Sequence, residues 1–424
     1  MSAAADPDRI LVDASALSPA TLTPPLSKSD AHRALTLGHL LGIDAASLLP
    51  GSSASWPIDV QVLDRGLGAL RSASDDIAID CHEGGAPFRI LLGQAAIAAG
   101  RRVTFTGSAR LGERPHGALV HALRDALGDA GLRIDEGSPW PLIVHGATRA
   151  PSSRFCVDAR SSSQFVTSVL LVMAALALRE GRSFSLELLG EPASRGYLNL
   201  TTSWLRRAGF IVAGDGRVIE VSGGQPASAE RLCVPGDWSS IAYLLLIAWR
   251  SGGAVANVDV SALHPDQAIL PVLQEAGLEV VVGEDHRIAV AGTASRGVSV
   301  SGQECPDLLP TVAALACALP SPTTLREVSI LRFKESDRLA GIMRLAQAGG
   351  ARTRLDDDVL TIFPGQIPRH VALGSAGDHR LAMSAAVLAV LGGSTLEIED
   401  AACVDKSFPG FWQELAGAGA RLTR

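Results

Sequence analysis

Residues 90–135 read ILLGQAAIAA (90–99), Gly100, RVTFTG (102–107), a loop, GALVHALRDALGDAG (117–131) and LRID (132–135). The first run is apolar on every face of a helix, so neighbours must enclose it. The second has β character, the third is an amphipathic helix whose terminal Gly suits a left-handed cap, and the fourth is a second β-type run. The same order returns in LLVMAALAL (170–178), SFSLELLG, LNLTTSWLRRAGF and IVAG. Further copies start at IAYLLLIAW (241–249), VAALACAL (312–319) and MSAAVLAVLGG (383–393), and a more degenerate one starts near Ala34. Spacings of roughly 55 to 80 residues exceed the usual solenoid periods. Helices that need enclosure on all sides cluster around shared cores, which predicts two globular domains of three units each.

The chain has 424 residues, 47% of them hydrophobic, and a formal net charge of −7. No global basic field draws it to nucleic acid or anionic lipid. Cys81, Cys156, Cys233, Cys305, Cys317 and Cys403 show no C-x-x-C pair and no metal-ligand spacing, so they read as reduced thiols of a cytoplasmic protein. The start, MSAAADPDRI, lacks a basic-then-apolar signal pattern. Apolar runs reach about a dozen residues, short of the ~18 that suggest a membrane span.

The segments that open the buried helices are PLSKSDAHR (25–33), EGGAPFR (83–89), ARSSSQF (159–165), PGDWSS (235–240), ECPDLLP (304–310) and AGDHR (376–380). Free N–H groups at helix starts favour anions. Ser and Asp there are ordinary caps, but capping does not explain Lys28, Arg33, Arg89 and Arg380, since cations are unfavourable at helix N-termini. Their recurrence points to a ligand carrying several negative charges. A further charged stretch, LRFKESDRL (331–339), places Lys334 and Arg338 four apart and Glu335 three before Arg338. It suits either a solvated ion pair or a site that binds a dianion and moves a proton.

Ten motifs occur in the order found in one family: LSKSDAHRAL, GGAPFR, GSARLGERP, SSSQF, SRGY, GDWSSIAY, CPDLLPT, LRFKESDRL, GDHRLAM and DKSFPGFW. The chain resembles the 5-enolpyruvylshikimate-3-phosphate synthases nearly end to end. That resemblance implies an inside-out α/β barrel in two domains, each of three βαβαββ repeats around buried parallel helices. One domain would be 1–26 with 235–424, carrying Asp237, Asp307, Lys334, Glu335, Arg338, Arg380 and Lys406. The other would be 27–234, inserted, with closure of the two on substrate. The implied reaction transfers the enolpyruvyl group of phosphoenolpyruvate to the 5-hydroxyl of shikimate 3-phosphate, without metal or organic cofactor, in a cytoplasmic monomer.

By position, Lys28, Ser29 and Arg33 resemble the first substrate motif, with Ser29 and Arg33 on the shikimate carboxylate. Ser162, Ser163 and Ser194 look like the 3-phosphate cradle, with Gln164 and Tyr197 beside the ring. Arg110, Arg338, Arg380 and Lys406 resemble the cations on phosphoenolpyruvate, joined by Lys28, Gly85 and Gln164. Asp307, Glu335 and Lys28 match the acid–base group, and Lys334 a second lysine facing substrate. Asp307, Ser162 and Ser163 also read as helix caps, Arg89 as half of an ion pair with Glu83 or Asp59, and His32, His39 and His379 as structural.

The chain departs from the family at Glu83, Ala86, Ile90 and Ile330. Ala86 and Ile90 together predict a slackened helix start beside Gly85 and comparative insensitivity to glyphosate. Two rivals are the related UDP-N-acetylglucosamine enolpyruvyl transferases and a non-catalytic paralogue that binds a phosphorylated sugar acid. Against the first stand Lys28-Ser29 followed by Arg33, and the absence of cysteine between Gly107 and Pro115. Against the second stands retention of Asp307, Glu335, Lys28 and Lys406.

Overall fold

The computed structural model describes residues 8–128, 133–134, 140–148, 151–160, 162–214, 216–261, 263–283 and 285–423. The chain folds as two compact units, one of residues 1–27 and 235–424, the other of 28–234.

The 28–234 unit holds two four-stranded sheets. In one, neighbours run Asp76–Asp80, Arg102–Thr106, Leu142–His145, Arg133–Ile134. The first pair is parallel and the others antiparallel. A parallel pair needs a crossover, which the buried helix Gly85–Ala96 supplies, and the amphipathic helix Gly117–Leu127 then leads into the closing hairpin. That helix ends with Gly128 at φ +76°; Gly131, read as the cap, lies outside the described residues. The second sheet repeats the order with Arg154–Asp158, Phe184–Leu189, Val218–Ser222 and Ile211–Gly214, crossing over through the helix Ser163–Glu180. The degenerate copy near Ala34 keeps its two helices, Lys28–Leu41 and Ile58–Arg71, but the described residues show no strand between them. Residues 42–57, GIDAASLLPGSSASWP, are rich in Gly, Ser and Pro and poor in β formers, so they take turns and short 3-10 segments instead.

The other unit has three sheets of the same pattern, with buried helices Trp238–Ser251, Leu309–Ala318 and His379–Gly392. Two of them borrow N-terminal chain. Ile10–Asp13 inserts antiparallel between Thr395–Glu399 and Arg421–Thr423, and Thr21–Leu22 pairs parallel with Ala254–Val255. Residues before and after the inserted segment therefore belong to one core.

Among the described residues one helix, Ser163–Glu180, is long and apolar enough to cross a membrane, and 72% of it is buried inside the protein. The apolar stretch singled out in the sequence, 170–178, is the later half of this helix, and Thr167 and Ser168 precede it. Both are buried and bonded within the unit: Thr167 Oγ1 accepts from Arg33 Nη2 (3.3 Å), and Ser168 Oγ donates to the Arg89 carbonyl (2.7 Å). Their polarity serves the interior and does not interrupt the helix.

Candidate active site

In the 28–234 unit, the starts of three helices bring the predicted residues together. Arg33 is buried, and its guanidinium donates only to neutral acceptors: Thr201 Oγ1 (3.0 Å), Thr167 Oγ1 (3.3 Å) and the carbonyls of Ser29 (2.6 Å) and Tyr197 (3.2 Å). Burial pulls its pKa down to about 10 against the pull of Asp30, so the cation is held in place without a carboxylate bonded to it. Lys28 Nζ pairs with Asp59 Oδ2 at 3.0 Å. Asp59, offered by the sequence as a partner for Arg89, here has its carboxylate paired with Lys28. Arg89 instead donates to Gln164 Oε1 and to the Pro115 carbonyl (3.0 Å), with its guanidinium 5.0 Å from the Phe165 ring centroid.

Ser162 caps its helix, Oγ accepting from Gln164 N at 3.2 Å. Ser163 is buried behind it. Ser194 stands at the start of Arg195–Arg207 with φ +55°, a conformation a non-glycine residue adopts at a cost, and its side chain makes no capping bond.

Beside the start of Gly85–Ala96 lies Arg114, a cation not singled out from the sequence. A Cβ on Gly85 would lie 2.3 Å from Arg114 Nη1, and one on Gly84 would lie 3.0 Å from Asp59 Oδ1. Arg114 is buried, and its Nε and Nη1 find no hydrogen-bond acceptor. Arg110, chosen from the sequence, has its side chain 41% exposed and pairs with Glu113 at 3.4 Å. The two arginines lie in one motif, GSARLGERP. The available signal was position: Arg110 falls within the short helix Ala109–Glu113, and Arg114 follows its end. Pro87, inside the first turn, fixes φ where its missing N–H costs nothing.

In the other unit Asp307 is the centre. Its Oδ1 accepts from Arg338 Nη1 (2.8 Å) and lies 3.5 Å from Lys334 Nζ, and its Oδ2 lies 3.3 Å from Arg380 Nη2. Burial would raise its pKa, but Arg380, Lys334 and Arg338 together hold it well below the usual carboxylate range. Arg338 is wholly buried and also donates to Glu335 Oε2 (2.6 Å) and, through Nε and Nη2, to Asp378 (2.9 and 3.2 Å). Predicted to bind phosphoenolpyruvate, Arg338 is bonded to three carboxylates, those of Asp307, Glu335 and Asp378. Asp378 caps the helix His379–Gly392 through Arg380 N (3.0 Å), which aims Arg380 at Asp307. Lys406 is buried. Asp237 is a cap, accepting from Ser240 N (2.9 Å) and Ser240 Oγ (2.7 Å).

Burial keeps His32 neutral, its pKa lowered to about 4. The unfolded chain binds that proton below about pH 6.5 and the folded one only below about 4, so stability is full above the first value and lost as pH falls toward the second. The difference is worth on the order of 3 kcal/mol. Urea unfolding between about pH 7.5 and pH 4.5 should show this decline, with a shallower one in His32→Gln. Equal slopes in the two proteins would count against it.

The family model for EPSP synthase (3-phosphoshikimate 1-carboxyvinyltransferase) matches residues 16–415. The chain is 34% identical over 428 residues to the 3-phosphoshikimate 1-carboxyvinyltransferase of Methanopyrus kandleri, covering 94% of this chain and 95% of that one. It belongs to the EPSP synthase family. The solved EPSP synthase of Acinetobacter baumannii has the same fold, with a TM-score of 0.68 at 18% identity over 98% of this chain and 100% of that one. So does the enolpyruvyl transferase NikO of Streptomyces tendae, with a TM-score of 0.68 at 15% identity and 98% of both chains covered. The EPSP synthase fold is therefore shared with that enolpyruvyl transferase, and the acceptor must be argued from side chains.

Proposed function

We propose that this chain transfers the enolpyruvyl group of phosphoenolpyruvate to the 5-hydroxyl of shikimate 3-phosphate, releasing phosphate, as a step of aromatic amino acid biosynthesis. The observation that carries this reading is Asp307, a carboxylate kept ionised by three cations with Glu335 bonded to one of them. The 5-hydroxyl oxygen adds to C2 of phosphoenolpyruvate as C3 gains a proton, and the tetrahedral intermediate then loses phosphate as C3 gives the proton back. Asp307 takes the hydroxyl proton. Glu335, with Lys28, serves C3 first as acid and then as base.

Arg33 with Ser29 holds the acceptor's carboxylate, Ser162, Ser163 and Ser194 its 3-phosphate, and Gln164 and Tyr197 its ring. Lys334 faces the same substrate. Arg380, Lys406 and Arg114 take phosphoenolpyruvate, with Gly85 leaving room for the Arg114 guanidinium. Incubation with both substrates, followed as phosphate release, tests the function. No release, or release only when UDP-N-acetylglucosamine replaces shikimate 3-phosphate, would sink it.

Replacing Arg33 removes a charged donor that is already oriented. Arg33→Ala should weaken shikimate 3-phosphate binding roughly 10- to 100-fold and leave the KM for phosphoenolpyruvate near its original value. Titration calorimetry with each substrate reads both. Equal losses for the two would remove Arg33 from a role specific to the acceptor.

A further inference from the structure

Asp266 is fully buried in the short turn Pro265–Ala268. Its Oδ2 accepts from Ser239 Oγ at 2.5 Å, while Oδ1 has no hydrogen-bond partner. A half-satisfied buried carboxylate is costly and needs a reason. Capping gives none, because the cap of this turn is His264, whose Nδ1 accepts from Asp266 N at 3.2 Å. The reason lies on the far side of Ser239. A serine hydroxyl has one proton. With that proton given to Asp266, its lone pairs face Arg380 Nη2, 3.3 Å away. Arg380 also lies near Asp307, 3.4 Å from Nη1 to the carbonyl and 3.3 Å from Nη2 to Oδ2. Without Asp266 the Ser239 hydroxyl loses the acceptor that fixes its proton, so the direction in which its lone pairs meet the guanidinium is no longer set.

We propose that Asp266 is a positioning residue: through the Ser239 hydroxyl it fixes the Arg380 guanidinium in the orientation that receives an anionic group of phosphoenolpyruvate. This rests on the assignment of Arg380 to that substrate. Asp266 itself touches no reacting atom.

Steady-state kinetics of the full chain test it in four variants. Asp266→Ala and Ser239→Ala should each raise the KM for phosphoenolpyruvate about 10-fold, the equivalent of one hydrogen bond's restraint, with the KM for shikimate 3-phosphate unchanged. Asp266→Asn should restore most of the loss, because its amide oxygen still accepts from Ser239 and its NH2 occupies the unsatisfied side. A purely structural Asp266 would change thermal stability without this split between substrates. An unchanged phosphoenolpyruvate KM in Ser239→Ala, or an Asn variant as poor as Ala, overturns the proposal. Should Asp266→Ala fail to fold, Ser239→Ala decides alone. Arg380→Lys is the control: a raised phosphoenolpyruvate KM there with none in Ser239→Ala sinks only the role of Asp266. No effect in Arg380→Lys removes the underlying assignment and this inference with it.

Discussion

Asp307→Ala lowers turnover by roughly 100-fold or more while both substrates still bind, and Glu335→Gln does the same. The argument begins with charge. Three cations lie within 3.5 Å of the Asp307 carboxylate, which keeps it ionised but also makes it a weak base. Phosphoenolpyruvate brings its own negative charge to Arg380, and that charge offsets part of the field on Asp307. Proton affinity then rises when the substrate is in place, so the base is strengthened by the complex that needs it. Glu335 is bonded to Arg338 Nη2, and glutamine keeps that bond through its amide oxygen while losing the proton function. Breaking a buried charge cluster can cost ~3–5 kcal/mol, so each variant is first checked by circular dichroism. Arg338 retains Asp378 in both, which favours folding. Near-normal turnover in Glu335→Gln would remove it from the acid–base role.

Much of the fold was legible because enclosed helices leave a plain mark. Runs such as LLVMAALAL or IAYLLLIAW have no face fit for water, and each is followed by a β-type run at fixed order. What could not be read was the use of polar groups inside. Thr167 and Ser168 precede an apolar run, and the sequence does not show that Arg33 and the Arg89 carbonyl bond them. Arg338 reads as half of a solvated ion pair or as a ligand-binding cation, but the sequence does not show that its guanidinium is buried and bonded to Asp307, Glu335 and Asp378, residues up to 40 positions away. Asp266 left no signal, since HPDQ is also an ordinary turn. In each case the deciding partner is distant in sequence, and periodicity reports only local order.

Arg114→Gln raises the KM for phosphoenolpyruvate about 100-fold, and Arg110→Gln changes it by less than about threefold. Arg110 is 41% exposed beside an exposed Glu113, a kind of pair worth about 0–1 kcal/mol. Arg114 is buried with Nε and Nη1 lacking acceptors, a state that costs free energy unless something negative completes it. His116 is held neutral down to about 3 by burial, with Arg89 and Arg114 adding to the effect. On the proposed function phosphoenolpyruvate completes the bonding of Arg114, and loss of charge-assisted bonds to that anion sets the size of the KM effect. The stability change should have the opposite sign. Removing an uncompensated buried cation leaves the free protein as stable as before or slightly more so, whereas removal of a structural arginine would destabilise it. Gly85→Ala gives an independent check, because its Cβ would meet the mobile end of Arg114 at 2.3 Å and push the guanidinium aside without disturbing the helix backbone. It should raise the same KM with little change in unfolding midpoint. A lower melting temperature in Arg114→Gln together with an unchanged phosphoenolpyruvate KM would return the role to structure alone.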